Sequence, residues 1–432
     1  MKKTFLFVLI FSMLSLSGCG TVEKLTELDL PPVPTAEITS ESCTSEAVSA
    51  NRTETEHQHI IVKFDNTKHE AYDPQQGTEL ILNFSYETPY VHIPANPAAE
   101  ENINEVIAML NESFYTGDDY GIVYDSGCAP GYINMLTNAE DNYNFIVNSG
   151  AENAYFELAN NRSVSVQRCD EHILSLRYYD YINLGGVHGS YAYRSYNFDT
   201  TSGELLSLDD LAYDAVLMKA YLASCIVESF KANTELQQQA QAMIELEGMP
   251  AVEEALKALV REGAWYLNDR GILFCSDLYE FGPYAAGTIE FFVPYSQLDG
   301  YLKTEFIPKA SGERGTFTVV PAEKLSESSK EIIDMVGLTE GAQVYYLVVD
   351  GSVRNVKLSK VDYADRFYET EAVWQCSVMN NCVIQLVTHI PEGMPELKIS
   401  YLDADGEHTY YLSESGVDGS VILVDSGIEA VG

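Results

Sequence analysis

The first residues of the chain combine two positive charges with a short apolar run. Lys2 and Lys3 precede an almost unbroken apolar stretch from Phe5 to Leu16. A membrane-spanning helix needs ~20 apolar residues, so this stretch is too short to cross a bilayer and has the length of an export-signal core. The pattern predicts a signal peptide over residues 1–18.

Residues 19–56 show no apolar period. They are rich in Ser, Thr and Glu, and they include Pro31, Pro32 and Pro34. This composition is typical of a flexible tether, and a coil of this length would span about 30 to 35 Å. Such a tether would hold a folded domain clear of lipid headgroups.

Apolar periodicity begins near residue 57 and predicts a module of helices and strands over residues 57–305. After Asn96 and Pro97, apolar side chains recur at helical spacing and predict one buried helix face. These side chains are Ile103, Val106, Ile107, Leu110 and Phe114. Short apolar runs predict strands around Tyr143 to Val147 and again between residues 163 and 198.

The second half of this module continues with helical segments to about residue 262. Asn268 to Gly271 then has the composition of a hairpin turn, and a strand follows from about Thr288 to Val293. Residues 312–432 have a different character, because closely spaced strands alternate with turn signals such as Asp350-Gly351 and Asp403 to Glu407. The fold class predicted for the whole chain is α+β, with a β-rich C-terminal domain built as a small sandwich or barrel.

Composition and charge limit the choice of partner. Hydrophobic residues make up 46% of the 432 residues, enough to build sizeable cores, and the formal net charge is −40. Such a surface repels nucleic acid, which excludes that class of partner, and it attracts cationic proteins or metal ions. The same charge is also explained by solubility alone.

The apolar run ends in Leu16-Ser17-Gly18-Cys19, which resembles the lipobox of bacterial lipoproteins. This resemblance implies cleavage after Gly18 and attachment of diacylglycerol, with chains such as palmitate, to the Cys19 thiol. Two or more acyl chains hold a protein stably at a membrane. We therefore expect an extracytoplasmic protein anchored by lipid to the cell membrane; an ordinary signal peptide with a chance cysteine is the alternative.

Two separated motifs in the middle of the chain resemble a known family. Gly185 to Gly189 reads Gly-Gly-Val-His-Gly, and Tyr196 to Gly203 continues with Asn-Phe-Asp and Thr-Ser-Gly. Phe281 to Gly287 reads Phe-Gly-Pro-Tyr-Ala-Ala-Gly, and Val293 to Ser296 reads Val-Pro-Tyr-Ser. Together they resemble the signatures of the family of unknown function 3298, and the segment before Gly185 resembles its companion family 4163.

The resemblance covers residues 57–305 and implies a module that works at the cell wall. In that family the pair occurs in the extracellular part of a lysozyme-sensing anti-sigma factor and beside a peptidoglycan deacetylase domain. Thr116 to Asp119 only superficially resembles the deacetylase motif and is better interpreted as a turn after the helix. The resemblance therefore favours a binding module over that enzyme.

His188 and nearby tyrosines are the candidate ligand contacts. His188 stands near Asp180 and Ser190, but without a nucleophile elbow its simplest role is hydrogen bonding within a glycine-rich turn. Tyr191 and Tyr193 would share one strand face, and Tyr284 lies in the second family motif. Tyrosine suits the binding of proteins or sugars, although the same rings can simply pack a sheet against helices.

Cysteines and acidic residues give weaker signals. Cys376 and Cys382 flank an Asn-containing segment that resembles a turn between two strands, which would allow a cross-strand disulfide; two buried thiols are the alternative. Asp403 to Glu407 begins like a calcium loop, with Glu414 at its twelfth position, but His408 replaces the required glycine. We therefore predict a hairpin turn there, and neither a metal nor a cofactor.

These patterns favour a non-enzymatic surface lipoprotein that binds a cationic protein such as lysozyme, or a cell-wall glycan. A peptidoglycan-modifying enzyme or accessory, with an acid–base pair around His188, is one alternative. A structural envelope protein without a ligand is the other.

Overall fold

A computed structural model describes residues 59–117, 130–150, 157–186, 188–308, 315–321, 344–363, 367–387, 395–414 and 421–425. The predicted signal peptide, Cys19 and the whole predicted tether lie outside these residues. No helix within these ranges is both long enough and apolar enough to cross a membrane.

The described residues form fourteen strands and seven α-helices. The strands are β1 Ile60–Tyr72, β2 Leu80–His92, β3 Leu158–Cys169, β4 Ile173–Asn183, β5 Ser190–Asp199, β6 Trp265–Leu267, β7 Gly271–Cys275, β8 Glu290–Pro294, β9 Thr316–Pro321, β10 Val344–Tyr363, β11 Phe367–Val387, β12 Leu397–Asp403, β13 Gly406–Glu414 and β14 Val421–Asp425. The helices are α1 Pro97–Thr116, α2 Tyr132–Ser149, α3 Leu208–Leu211, α4 Ala215–Ala232, α5 Thr234–Gln239, α6 Gln241–Glu247 and α7 Met249–Ala258. This content confirms the predicted α+β class.

Helix α1 forms where the apolar spacing predicts it. The side chain of Asn96 caps it by accepting a hydrogen bond from the Ala99 amide at 3.3 Å, and Pro97 occupies the first helical position, where no amide hydrogen is needed. Gly117 ends it in the left-handed region at φ 76°. Its buried face carries Ile103, Ile107 and Leu110 into the main core.

The strand predicted around Tyr143 to Val147 is wrong, because this segment belongs to α2. Met135, Ala139, Tyr143 and Ile146 form one buried helical face. A five-residue apolar run cannot distinguish a strand from part of a helix, and only the wider spacing of buried positions does so.

One large sheet contains strands from both halves of the chain. Its order is β14-β13-β12-β10-β11-β1-β2-β3-β4-β5, with β9 beside β10, and β11 pairs in parallel with both β1 and β3. Residues from Glu56 onward form one compact unit. The β-rich region therefore does not stand apart as the predicted domain 312–432, because its longest strand completes the sheet of the preceding module.

Two predicted turns face each other inside the long β10–β11 pair. Asp350-Gly351 lies within β10 and Asn381 within β11, and the register between Val349 and Ser352 shifts by one residue. Gly351 and Asn381 both have positive φ, and the Gly351 amide donates to Asn381 Oδ1 at 2.9 Å. Left-handed residues at a bulge carry the same sequence signature as a hairpin turn, so both turn predictions are wrong.

This correction removes the premise of a cross-strand Cys376–Cys382 disulfide. Both residues lie on β11, six positions apart on one strand, and both are buried free thiols in the structure. The Asp403 hairpin, by contrast, is present between β12 and β13.

A second, smaller layer packs beside β4 and β5. Strands β6, β7 and β8 form an antiparallel sheet, which shares an apolar core with α3, α4 and α7. This core includes Trp265, Phe274 and Phe291. The layer contacts the edge strand β5 directly, because the Ser195 amide donates to the Gly263 carbonyl at 2.9 Å and Asn197 Nδ2 donates to the Trp265 carbonyl at 3.2 Å.

Candidate functional site: a tyrosine cluster

Tyrosine rings gather on the face of the β4–β5 hairpin that points away from the main core. The register pairs Tyr179 with Tyr193 and Tyr181 with Tyr191. The ring centroids of Tyr179 lie 5.2 Å from Tyr193 and 5.6 Å from Tyr191. Successive side chains of a strand alternate between faces, so Ala192 between these rings is buried on the other side.

A turn from the smaller layer brings further rings to this face. Tyr284 lies in the short 3₁₀ turn Tyr284–Ala286, and its ring centroid is 6.4 Å from that of Tyr191. Gly287 follows with φ 69°, and a Cβ at that position would lie 3.3 Å from the Tyr191 hydroxyl. Glycine at this position therefore allows the turn to close against Tyr191.

His188 stacks on Tyr284, with ring centroids 3.8 Å apart and planes inclined by 23°. Its Nδ1 lies 2.9 Å from the Gly189 carbonyl, which can only accept, so Nδ1 carries the hydrogen. In the neutral ring Nε2 is then an acceptor, and the Tyr279 hydroxyl lies 3.4 Å from it. The structure thus shows the backbone hydrogen bond predicted for His188, together with ring contacts that the sequence did not reveal.

We call these six residues the tyrosine cluster: Tyr179, His188, Tyr191, Tyr193, Tyr279 and Tyr284. All four residues predicted to bind a ligand belong to it. Tyr279 is 52% exposed, His188 is also exposed, and the other four rings are half-buried. The cluster therefore presents a surface to solvent instead of filling a core.

Asp180, the acidic neighbour considered for His188, faces the opposite side of β4. It accepts hydrogen bonds from Arg162 Nε at 2.7 Å and from Nη2 at 2.8 Å, and this ion pair is almost completely buried. Adjacent strand residues point to opposite faces, so Asp180 cannot lie on the side of Tyr179. An acid–base arrangement of His188 with Asp180 is not formed.

Arg177 underlies the cluster and was not predicted. Its guanidinium carbon lies 4.0 Å from the Tyr193 ring centroid and 4.8 Å from that of Tyr266, and Nη2 donates to Glu290 at 2.5 Å. Nε is buried and has no hydrogen-bond partner among the described residues. Pairing the predicted strands β4 and β5 as a hairpin would have placed Tyr179 opposite Tyr193. No local sequence pattern indicates that Arg177 lies beneath these rings.

Ion pairs fix the segment that carries Tyr279. Asp277 accepts from Arg194 at 2.6 Å and from Arg261 at 3.0 Å, and Arg261 also pairs with Glu280 at 2.7 Å. Tyr279 itself has φ 64°, an uncommon conformation for a tyrosine. The flanking ion pairs stabilise this strained conformation, because relaxing the backbone at Tyr279 would separate the charged partners.

Burial changes the acidity of the inner rings. It raises the pKa of Tyr179, and it raises the pKa of Tyr193 against the opposing effect of the neighbouring Arg177 charge. These hydroxyls therefore remain protonated donors well above neutral pH. The cluster can offer hydrogen bonds as well as ring surfaces to a ligand.

Within the described ranges, no group of three or more His, Cys, Asp or Glu side chains is arranged so that it could hold a metal ion. In the segment that begins like a calcium loop, Asp403 Oδ1 lies 2.8 Å from His408 Nε2. Glu414 accepts a hydrogen bond from Tyr345 at 3.1 Å instead of completing the loop.

The fold and the cluster define an α+β protein with an aromatic surface. Residues 209–296 match the family described as "Protein of unknown function (DUF3298)". The chain therefore contains a DUF3298 domain, which carries Tyr279 and Tyr284 of the cluster. The wider resemblance over residues 57–305, including the companion family 4163, remains a prediction.

Two solved structures of DUF3298 proteins are similar to this chain. The protein from Bacteroides fragilis NCTC 9343 has 19% identity and a TM-score of 0.40, covering 56% of this chain and 94% of its own. The protein from Pseudomonas aeruginosa PAO1 has 15% identity and a TM-score of 0.34, covering 57% and 96%. No match was found among curated proteins.

Proposed function

We propose that this chain is a non-enzymatic, lipid-anchored surface protein that binds a cationic protein partner through the tyrosine cluster. The observation that carries the proposal is the convergence of six rings from three separate segments on one partly exposed face. Tyrosine is enriched where binding energy concentrates, because its large rigid body loses little entropy on ordering.

Charge supports a cationic partner. The formal net charge of −40 would attract such a protein over long distances and accelerate encounter, an effect that weakens as salt screens it. At short range, tyrosine faces attract cations, as the guanidinium of Arg177 does beneath the Tyr193 ring. A protein of the lysozyme type, suggested by the family resemblance, satisfies both requirements.

Anchoring at Cys19 and the position at the cell envelope belong to the same proposal. They are supported by the lipobox-like sequence and the tether composition. Mass spectrometry of the native protein tests this part separately. An unmodified chain that retains its first eighteen residues would contradict the anchor without affecting the binding site.

Binding is tested by calorimetric titration of the full mature chain with lysozyme at low and moderate ionic strength. We expect binding that weakens with salt. The variant Tyr284→Ala should weaken it at least about tenfold, because central aromatic anchors contribute ~2 kcal/mol or more. The matched control is Tyr213→Ala, which removes a tyrosine that is 61% exposed and lies outside the cluster.

Each outcome has a distinct meaning. An absence of heat at both ionic strengths removes lysozyme as the partner. If the Tyr284 and Tyr213 variants bind lysozyme equally well, lysozyme remains the partner, but the tyrosine cluster is not its binding site. Circular dichroism of both variants must show an unchanged fold.

A cell-wall glycan is a second candidate, favoured by the exposed ring of Tyr279 and the stacked pair of His188 and Tyr284. Flat aromatic surfaces with hydroxyl groups suit sugar rings. Titration of the same three proteins with soluble peptidoglycan fragments distinguishes this candidate. It requires binding that salt changes little, since a glycan contact of this kind does not depend on long-range attraction.

A further inference from the structure

Strand β5 stands last in the order of the large sheet, and among the described strands it pairs only with β4. Its contacts show which of its residues face outward. The Ser195 amide donates to the Gly263 carbonyl at 2.9 Å, and the Asn197 carbonyl accepts from the Leu206 amide at 2.7 Å. Backbone groups alternate between the two sides of a strand, so the odd-numbered residues of β5 point their amides and carbonyls away from β4.

The first half of this edge contains an open gap. Tyr191 and Tyr193 both face outward, and within the described residues nothing pairs with the amide or carbonyl of Tyr191 or with the amide of Tyr193. Neighbouring side chains close both ends of the gap. His188 Nδ1 donates to the Gly189 carbonyl at 2.9 Å. Arg194 Nη1 donates to the Tyr193 carbonyl at 2.7 Å, which leaves three backbone groups for a partner.

We propose that an extended segment of the partner protein enters this gap and pairs with β5 as an added strand. The amide and carbonyl of Tyr191 and the amide of Tyr193 then form hydrogen bonds with the partner backbone. In this mode of recognition the backbone supplies affinity, and alternate side chains of the added strand supply specificity. The inference rests on the proposed function, because it describes how the cationic partner meets the tyrosine cluster.

The chemistry of the segment follows from the alternation of its side chains. Every second side chain of an added strand lies on the same face as the rings of Tyr191 and Tyr193, at the short distance typical of cross-strand neighbours. Basic side chains suit these positions, since tyrosine faces attract cations and this chain has a net charge of −40. We therefore expect basic residues to alternate with β-branched residues, which favour the extended backbone.

Two features of the gap favour a short segment of another protein over other occupants. The capping side chains of His188 and Arg194 limit the open edge to a few residues, which discourages a longer sheet between molecules. A second copy of this chain is disfavoured, because two chains of net charge −40 repel each other. A glycan has no peptide backbone that could continue the ladder.

The test uses the capped peptide Lys-Val-Lys-Val-Lys-Val, labelled with fluorescein and titrated with the full mature chain at low salt. Two matched versions carry N-methyl groups on the three lysine amides or on the three valine amides, so all three peptides have the same charge. In an added strand only one of these sets points its amides at β5. Methylation of that set should weaken binding at least about tenfold, because it removes donors and places methyl groups against the Tyr191 carbonyl. The other version should bind like the parent peptide.

Two variants locate the binding site on β5. Tyr193→Pro removes the outward amide and places its ring in the gap, and an edge strand tolerates proline where the amide is unpaired. Tyr193→Ala is the matched control, because it removes the same tyrosine ring and keeps the amide. We expect Tyr193→Pro to bind the parent peptide at least about tenfold more weakly than Tyr193→Ala. If the proline variant fails to fold, the methylated peptides still give the answer with the wild-type chain.

Equal binding of the two methylated peptides, or no binding of the parent peptide, overturns the added strand. Equal binding by the two folded Tyr193 variants does the same. A dimer of the chain alone in sedimentation, abolished by Tyr193→Pro, would assign the edge to a second copy instead.

These outcomes are distinct from the titration with lysozyme. Lysozyme binding that depends on Tyr284, without the methylation pattern, keeps the proposed function and removes only the added strand. The methylation pattern without lysozyme binding keeps the added strand and removes lysozyme as the partner.

Discussion

At the scale of single residues, a buried ion pair lies on the core side of β4, opposite the face that carries the tyrosine cluster. Arg162 pairs with Asp180 through two hydrogen bonds, and its Nη1 donates to the Leu110 carbonyl at 2.9 Å. Its guanidinium carbon lies 4.3 Å from the Phe114 ring centroid. Every charged group here has a partner, as a buried charge requires.

We predict that Arg162→Met lowers the free energy of unfolding by about 3 to 5 kcal/mol, because Asp180 would remain buried without its counter-charge. Urea unfolding followed by circular dichroism measures the change.

The control for this prediction is Lys360→Met, which removes an exposed pair with Glu371 at 3.1 Å. Exposed pairs contribute roughly 0 to 1 kcal/mol, so this variant should unfold almost like the wild type. Equal stability of the two variants would mean that Arg162 is not essential to the core.

At the scale of elements, close packing between α1 and the turn after β5 joins the predicted helix to the family motif. Gly203 has φ 77°, and a Cβ there would lie 2.4 Å from the Ala99 carbonyl oxygen. The side chains of Asn96 and Asn102 also donate to the Thr201 and Ser202 carbonyls, at 2.5 and 2.9 Å. The helix and the turn therefore position each other.

Gly203→Ala should destabilise the protein by at least about 2 kcal/mol more than Gly77→Ala, because overpacking adds to backbone strain. Gly77 is a matched control: its φ is 66°, yet a Cβ there would meet nothing within 4 Å. Thermal and urea unfolding of both variants give the comparison. Similar losses in the two would show that the turn can move away from α1 at little cost.

At the scale of the whole molecule, β11 connects regions that the sequence pattern separates. It pairs with β1 and β3 from the first half of the chain and with β10 from the second. The main core accordingly contains side chains from both halves, such as Ile103 and Val356. Strand pairing across so long a separation makes the compact unit depend on its C-terminal strands.

A fragment of residues 57–308 should therefore lack a cooperative thermal transition, because it exposes the core surface that β10 and β11 cover. A fragment of residues 57–432, which loses only the predicted signal peptide and tether, should melt within a few degrees of the mature chain. Circular dichroism and calorimetry test both. Cooperative melting of the shorter fragment would instead support the predicted boundary near residue 312, with two domains that fold independently.

The sequence by itself determined what local patterns can encode. It determined the α+β class, helix α1 with its cap at Asn96, the Asn268 hairpin, and the aromatic residues around His188. Each of these follows from side-chain periodicity, capping chemistry or turn composition within a short window.

The tertiary structure decided what distant contacts select. It made α2 a helix, turned Asp350-Gly351 and Asn381 into opposing halves of a bulge, and placed Arg177 beneath the tyrosines. It also paired Asp180 with Arg162. The physical reason is that a left-handed residue, a short apolar run or a charged side chain is compatible with several local structures. Only packing against residues far away in the sequence makes one of them lowest in free energy.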